Sequence, residues 1–279
     1  MDDQRTPSEE STGRGISRRT LFTTVGLGGL GVAALGATAC APANEAASGS
    51  VQTPPTSNPS PPDCVLEPET IEGPYHIDHD LVRGDIREDR QGVPVELNLS
   101  VVDAASCAPL EGAVVDIWHC DALGSYSGHL DLDPNTAPEG AEHIEPTDPS
   151  TFLRGTQISG ADGAVTFQTI FPGYYWGRSI HIHVLVHVGG NRVHTGQLYV
   201  PEEQTAQVVA TLPYSDRPGA PERVTNDVDV LFQQHDGAQS TLRLEPIGSD
   251  LSQGFRASLS MGVMPGETPP PATFTPPTN

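Results

Sequence analysis

The sequence predicts an all-β domain, a two-sheet antiparallel β-sandwich with short helical insertions. Polar and apolar residues alternate with a period of two in several segments, which places them on opposite faces of a strand. Short turn sequences rich in glycine, proline and aspartate separate these segments. Few patterns are long enough for a helix, and many short strands joined by turns are typical of a sandwich.

The predicted strands follow one another through the middle of the chain. The clearest covers residues 95–101, where valine and leucine alternate with glutamate, asparagine and serine. The full set is residues 95–101, 113–118, 164–170, 180–187, 197–200, 240–244 and 255–261. Only residues 202–212 have a helical pattern, and Pro201 stands where a proline favours the first helical turn.

Composition and charge narrow the classes of partner. The chain has 279 residues and a net charge of −22, and all 14 of its basic residues are arginine. Such a surface repels nucleic acids and anionic lipids, which argues against both as partners. Association with a membrane would therefore need a covalent lipid.

The first 39 residues resemble an export signal rather than part of the fold. Arg18 and Arg19 precede an uncharged run rich in glycine and alanine, which closes on a small-residue cleavage pattern, Ala-Thr-Ala. The sequence thus predicts a twin-arginine signal over residues 1–39 and an extracellular or cell-surface protein. Cys40 resembles the acceptor cysteine of a bacterial lipoprotein, but Ala37 replaces the usual leucine, so a lipid anchor at Cys40 stays open.

The mature chain is predicted to hold one domain between two disordered segments. Residues 40–63 are rich in proline and serine and have too few apolar residues to fold, so they are predicted to be a linker. Residues 264–279 have a similar composition and are predicted to be a disordered tail. Residues 64–263 form the predicted β-sandwich domain.

Three cysteines follow Cys40, and an exported protein is expected to form one disulfide from them. A hairpin of residues 95–103 and 113–120 would separate Cys107 from Cys120 by roughly 25 Å at ~3.3 Å per residue, beyond the ~7 Å limit for bridged Cα atoms. Cys64 is therefore expected to pair with Cys107 or Cys120, and both pairings stay open.

His181 and His183 form a candidate metal-binding pair. Residues two apart on a strand face the same side at a separation of ~6.6 Å, so both imidazoles can bind one ion while Ile182 is buried on the other face. A hydrogen-bonded histidine pair is the alternative, and the pair alone leaves Zn, Cu, Mn and Fe open.

Tyrosines near the pair narrow the choice of metal. Tyr174 and Tyr175 precede the histidines, and Tyr126 closes the segment 118–126. The pKa of a phenol must fall from ~10 for it to bind as phenolate, and a trivalent hard cation achieves this better than Zn²⁺. Two phenolates and two imidazoles therefore suit Fe(III).

The segments around these residues resemble the intradiol ring-cleavage dioxygenases, the family of catechol and protocatechuate 3,4-dioxygenases. The similar segments are residues 114–119, 124–127, 169–175 and 177–183, supported by 72–75 and 195–199. The resemblance runs from about residue 67 to residue 199 in the family's order and spacing. It implies the same sandwich fold.

The resemblance implies a ferric ion held by Tyr126, Tyr175, His181 and His183, with a solvent hydroxide as a further ligand. It implies that a catecholic diol and O₂ react there, and that the bond between the two hydroxylated carbons breaks to give a muconate-type diacid. Tyr175 would leave the iron and accept a substrate proton. Tyr175 rather than Tyr174 matches the family's motif before Gly-Arg.

The resemblance also implies roles around the metal. Arg178 matches an arginine that stabilises negative charge on the substrate ring, and Gln197 matches a glutamine that helps orient O₂. Tyr75 is expected to line the substrate pocket. Residues 128–150 are predicted to be an inserted loop at the entrance, with His129 and His143 on the surface.

Two alternatives stay open at the level of sequence. One is a non-catalytic secreted β-sandwich that binds a ligand and uses the tyrosines and histidines for structure. The other keeps the metal site but places Zn or Cu in it, with different chemistry. The ring substituents of the substrate and the oligomeric state are also left open.

Overall fold

The computed structural model describes residues 64–79, 81–138 and 142–274. The predicted export signal (1–39) and linker (40–63), with Cys40, lie outside the described residues, as do residues 275–279. The described part of the predicted tail, residues 264–274, contains no helix or strand. Throughout the described ranges, no helix has the length and apolar character needed to cross a membrane.

Two four-stranded sheets form a β-sandwich, as predicted. The first sheet has the order β4-β1-β8-β7 and consists of β1 (Pro94–Asp103), β4 (Ala164–Ile170), β7 (Arg243–Pro246) and β8 (Phe255–Val263). The second has the order β3-β2-β5-β6 and consists of β2 (Val114–Trp118), β3 (Arg154–Ile158), β5 (His181–Val188) and β6 (Asn191–Tyr199). The helical insertions are α1 (Glu202–Val209), α2 (Val230–Gln234) and a 3₁₀ turn (Leu251–Gln253).

Alternation along the strands forms the core between the sheets. On β1, Val95, Leu97 and Leu99 are buried, while the residues between them are half-buried on the outer face. They belong to one apolar cluster with Ile117 of β2 and Val184 of β5. Burial of these aliphatic side chains is the main stabilising contribution, at roughly 25 cal/mol per Å² of apolar surface.

The prediction that the sheets are antiparallel throughout is wrong for one pair. β1 and β8 run parallel, with Val95 beside Phe255 and Asp103 beside Val263. The chain reaches β8 only after β6, both helices and β7, so no tight hairpin forces the opposite direction. Alternation has the same period in both pairings and cannot distinguish them.

The predicted hairpin of residues 95–103 and 113–120 is also wrong. β1 pairs with β4 and β8, whereas β2 pairs with β3 and β5 in the other sheet. The turn around Pro109 therefore carries the chain from one sheet to the other. β3 was not predicted from the sequence, because its residues Arg-Gly-Thr-Gln-Ile show no polar–apolar alternation.

Cys64 is bonded to Cys107, with their Cα atoms 5.1 Å apart, and Cys120 is a buried free thiol. This decides between the two pairings left open. The exclusion of a Cys107–Cys120 bond was right although the hairpin used to argue it does not exist. The bond ties the segment that begins at residue 64 to the turn after β1.

Removal of this disulfide is expected to lower the free energy of unfolding by about 3–4 kcal/mol in the chain-entropy account, because the bond closes a long loop. The two cysteines are separated by 43 positions in the sequence. Urea unfolding of the variant Cys64→Ser with Cys107→Ser measures the loss. Cys120→Ala is the control that leaves the bond intact, and equal stability of the double variant and the wild type would contradict the prediction.

Candidate metal centre

The candidate metal centre lies on the face of the second sheet that points away from the core. Along β5, Ile182 and Val184 belong to the cluster between the sheets. His181 and His183 point to the opposite face, where Tyr75 and Tyr126 lie in a second, aromatic cluster. Both faces of β5 are thus buried at this end, so histidines alternate with apolar residues over residues 181–184.

Four side-chain donor atoms converge on this face. The Tyr175 hydroxyl lies 3.1 Å from Nε2 of His181, which lies 3.1 Å from Nε2 of His183. Nε2 of His183 lies 3.1 Å from the Tyr126 hydroxyl. The structure thus brings together the four predicted ligands, and each side chain is at most 8% exposed. Tyr126 comes from the turn after β2 and Tyr175 from the turn before β5.

The protonation of His181 fits a metal ligand. Its Nδ1 lies 2.7 Å from the carbonyl oxygen of Ser179, which can only accept, so Nδ1 carries the ring proton. Nε2 therefore presents a lone pair to the other donor atoms. Burial and the charge of Arg178 lower the pKa of His181 to about 3, and burial also lowers the pKa of His183. Neutral imidazole is the form that binds a metal.

The two phenols need a cation to ionise at this place. Burial raises the pKa of Tyr126 and of Tyr175 above the usual value of a phenol. A trivalent ion between the four donors would offset that effect. The donor set of two phenol oxygens and two imidazole nitrogens therefore fits Fe(III). Within the described residues, no group of three or more histidine, cysteine, aspartate or glutamate side chains is arranged to hold a metal ion.

The ring of His183 is held by close packing. Trp118 stacks on it with the ring centres 4.9 Å apart and the planes 6° from parallel. A Cβ atom at Gly73 would lie 2.9 Å from Cε1 of His183, and Gly73 has a φ of +83°, so glycine is needed there. Nδ1 of His183 has no hydrogen-bond partner among the described residues, so packing fixes the ring.

His76 packs on Trp118 with the ring centres 4.6 Å apart, which makes it part of the support for His183. Its ring nitrogens lie 2.9 Å from Glu72 and 3.4 Å from Asp116. Burial acts to lower the pKa of His76, but hydrogen bonds to the two carboxylates outweigh burial and raise the pKa to about 9. His76 is therefore a cation at neutral pH.

The stabilising effect of His76 is expected to fade at alkaline pH. Its folded-state pKa of about 9 exceeds the ~6.5 of an unfolded histidine, so its contribution is complete below pH ~6.5 and is lost as the pH rises through 9. We expect His76→Gln to lower the free energy of unfolding by about 2 kcal/mol at about pH 6, after allowance for screening, and by much less at about pH 10. Urea unfolding at both values measures this difference.

The control for that experiment is His79→Gln, in the same segment. Burial lowers the pKa of His79, so its contribution to stability should follow pH with the opposite sign. A stability difference between the wild type and His76→Gln that stays constant or grows toward alkaline pH would contradict the assignment of His76 as a cation.

The guanidinium of Arg178 lies near the four candidate metal ligands and forms hydrogen bonds to two side chains. Its Nε donates to Oδ2 of Asp229 at 2.9 Å, and its Nη2 donates to Oε1 of Gln197 at 2.6 Å. The amide nitrogen of Gln197 donates to the carbonyl of Ile71 at 3.0 Å, so both ends of this amide are engaged. The structure brings Arg178 and Gln197 together, with the Gln197 side chain bonded to both Arg178 and Ile71.

Asp229 is the buried counter-ion of Arg178, and the sequence did not predict this contact. It is fully buried, and it also accepts the backbone N–H of Ser179 at 2.7 Å. Its other carboxylate oxygen accepts the N–H groups of Leu231 and Phe232 and so caps α2. An aspartate directly before Val-Leu-Phe was a capping signal, but nothing local connected it with Arg178.

A cleft opens beside the two ligand tyrosines. Tyr75, the residue expected to line the substrate pocket, lines this cleft and stacks on Tyr126 with the ring centres 4.5 Å apart. Tyr174 has a packing role, since it contacts the core and lies under Arg217, whose guanidinium is 4.4 Å from the ring centre. The cleft is lined by Tyr75, Gly124, Ser125, Tyr126, His129, Leu132, Asp133, Pro134, Thr136 and Tyr175.

The prediction that His129 lies on the surface is wrong. His129 is 2% exposed and lines the cleft, whereas the side chain of His143 is 50% exposed, as predicted. The inserted loop folds back on its own start, because the Gly128 carbonyl accepts the N–H of Thr147 at 2.8 Å. This closure turns His129 inward, and a contact between two ends of a loop leaves no periodic signal in the sequence.

Comparison with known proteins identifies the family. A solved intradiol ring-cleavage dioxygenase from Tetranychus urticae is 35% identical, with a TM-score of 0.67, over 75% of this chain and 99% of that one. A family model described as dioxygenase matches residues 67–219, more than half of the chain. The chain belongs to the intradiol ring-cleavage dioxygenase family. The matched range of this intradiol dioxygenase includes all four candidate ligands and ends before Asp229.

Curated relatives are similar over part of their length. Catechol 1,2-dioxygenase 1 of Acinetobacter lwoffii is 37% identical over 114 residues, 39% of this chain and 32% of that protein. The protocatechuate 3,4-dioxygenase beta chain of Burkholderia cepacia is 29% identical over 135 residues, 45% of this chain and 52% of that protein. This intradiol dioxygenase thus spans about a third to a half of these relatives.

Proposed function

We propose that the protein is a non-haem Fe(III)-dependent dioxygenase that cleaves a catecholic ring between its two hydroxylated carbons. One observation carries the proposal: the donor atoms of Tyr126, Tyr175, His181 and His183 form a chain of 3.1 Å contacts beside a cleft. Family membership supports ring cleavage and favours an enzyme over a non-catalytic binding module. The proposal adds ferric iron and a catecholic substrate to what family membership shows.

The overall reaction joins one diol and one O₂. The bond between the two hydroxylated carbons breaks, each of these carbons gains one oxygen atom, and O₂ is reduced as the carbons are oxidised to two carboxyl groups. When bound, Fe(III) supplies a Lewis acid that binds the diol oxygens and makes the ring reactive toward O₂.

Tyr175 is the residue placed to take a proton from the diol. It lines the cleft and is more exposed than Tyr126, at 8% against 3%. Its hydroxyl contacts Nε2 of His181 at the edge of the donor set. A substrate hydroxyl that enters from the cleft would meet the Tyr175 oxygen, and the proton would move to that atom. Tyr126 would remain in place.

Arg178 would stabilise the negative charge that develops on the ring. Its guanidinium is fixed by Asp229 and Gln197, so it needs no reorganisation during the reaction. Tyr75, stacked on Tyr126, would present an aromatic surface to the substrate ring. A lysine at position 178 could not make both bonds from one planar group.

The proposed function is tested on the purified, iron-loaded protein. We expect visible absorption from charge transfer between tyrosinate and Fe(III), and uptake of one O₂ per diol with catechol, protocatechuate or hydroxyquinol. A colourless protein that is fully loaded with metal would contradict the ferric site. A coloured protein that takes up no O₂ with any of the three diols would contradict the dioxygenase activity.

We also propose that the protein is exported by the twin-arginine route and acts outside the cytoplasm. The disulfide between Cys64 and Cys107 supports this, because such bonds persist in oxidising compartments. Replacement of Arg18 and Arg19 by lysine should retain an uncleaved protein in the cytoplasm, as measured by cell fractionation. Cys40→Ser should release the protein from membranes if a lipid is attached there.

A further inference from the structure

The side chain of His129 is buried without a hydrogen-bond partner among the described residues. The residue is 2% exposed, and neither Nδ1 nor Nε2 has a partner in that part of the chain. Its ring lies beside Tyr75, with the centres 5.3 Å apart, and lines the same cleft as Tyr126 and Tyr175. A buried polar atom left unpaired costs about 1–3 kcal/mol, so two such atoms at a cleft point to a ligand that pairs with them.

The position of His129 is fixed before any ligand binds. Its backbone N–H donates to the Tyr126 carbonyl at 3.2 Å, and its carbonyl accepts the N–H of Leu132 at 3.1 Å. The next residue, Leu130, donates its N–H to the Asp148 carboxylate at 2.8 Å. These bonds fix the backbone of His129 beside the cleft, so a ligand would not have to order this turn.

The opposite end of a bound diol has few other buried polar partners. If the two hydroxyl groups occupy the positions near Tyr126 and Tyr175, the far side of the ring faces the remainder of the cleft. There, Ser125, Asp133 and Thr136 are partly or fully exposed and can bond to water. Apart from the three tyrosines, His129 is the buried side chain of the described lining that carries polar atoms.

The charge of the cleft favours a neutral partner for His129. A neutral imidazole offers one donor and one acceptor, and both ring nitrogens of His129 lack a partner among the described residues. A hydroxyl group matches both functions. The described lining contains the carboxylate of Asp133 and no arginine. Arg154 donates to the side chain and carbonyl of Ser127 and lies outside the lining.

We propose that His129 is a specificity-determining residue that hydrogen-bonds a hydroxyl substituent on the far side of the substrate ring, so that the site selects hydroxylated catechols over carboxylated ones. This inference rests on the proposed function, because the site near Tyr126 and Tyr175 fixes which end of the ring reaches His129. It adds a substrate preference that the metal ligands do not determine.

Anaerobic calorimetric titration of the iron-loaded protein tests the preference without turnover. We expect the wild type to bind hydroxyquinol about tenfold more tightly than catechol, since one additional hydrogen bond of about 1.4 kcal/mol corresponds to tenfold in Kd. Protocatechuate should bind more weakly than hydroxyquinol. Equal or weaker binding of hydroxyquinol relative to catechol in the wild type would overturn the proposal, whatever the variants do.

Variants identify the group responsible. His129→Phe keeps a ring but removes both nitrogens, so the hydroxyquinol-to-catechol affinity ratio should fall to about one; His129→Asn keeps a donor and an acceptor and should restore part of the ratio. His143→Phe, on the exposed part of the same loop, should leave the ratio unchanged. An unchanged ratio in both His129 variants would overturn the role of His129.

Oxygen uptake separates this proposal from the proposed function. The ratio of kcat/KM for hydroxyquinol to that for catechol should fall in His129→Phe in step with the affinity ratio. A wild type that shows the affinity ratio but takes up no O₂ would contradict the dioxygenase function and still support the hydroxyl contact of His129.

Discussion

Replacement of Tyr175 by phenylalanine is expected to lower ring cleavage by about 100-fold or more and to shift or bleach the visible absorption of the iron-loaded protein. The Tyr175 hydroxyl is one of the four converging donor atoms, 3.1 Å from Nε2 of His181, and it faces the cleft. Its loss would remove both the proposed ligand and the proposed acceptor of the substrate proton. Turnover, absorption spectrum and iron content measure the effect.

Tyr174→Phe is the matched control, because it removes the same hydroxyl from the adjacent residue. The Tyr174 ring packs against the core and under Arg217, and phenylalanine preserves both contacts. We expect colour and turnover close to those of the wild type. If Tyr174→Phe lost the colour and Tyr175→Phe kept it, the ligand would be the preceding residue, and the proton transfer proposed for Tyr175 would be wrong.

Replacement of Asp229 by alanine is expected to lower the free energy of unfolding by about 3 kcal/mol or more, because it leaves the Arg178 guanidinium without its buried counter-ion. Only 16% of the Arg178 side chain and none of the Asp229 side chain is exposed. The change also removes the cap of α2 and the partner of the Ser179 N–H. Urea unfolding measures the loss.

A double-mutant cycle separates the ion pair from the other roles of Asp229. Arg178→Met removes the cation, and the combination with Asp229→Ala should cost clearly less than the sum of the two single changes, because the pair is lost only once. If the losses in free energy of unfolding of the two single variants simply add in the double variant, the ion pair is not the main contribution of Asp229 to stability. Asp229→Asn keeps an oxygen that can cap α2, so it should retain most of the free energy of unfolding that Asp229→Ala loses. Its turnover should still fall, because Arg178 loses its charged partner.

The strand faces and the ligand pair were predictable because both depend on local periodicity. Alternation in β1 placed Val95 and Leu97 in the core, and the two-residue spacing placed His181 and His183 on one face, as the structure confirms. The resemblance then supplied Tyr126 and Tyr175. These inferences need only the direction in which each side chain leaves the chain, which the sequence determines within one strand.

Partners that are distant in sequence were decided by tertiary structure alone. The parallel pairing of β1 with β8, the placement of β1 and β2 in different sheets and the choice of Cys107 as the partner of Cys64 all depend on how complete sheets stack. Asp229 meets Arg178, and His129 turns into the cleft, only because separate turns close over the outer face of the second sheet. By itself, the sequence determined most of the strands, the family motifs and the chemical nature of the candidate ligands, since these are properties of short segments. The tertiary structure decided which residues support those ligands and shape the cleft, because such contacts join segments whose separation leaves no local pattern.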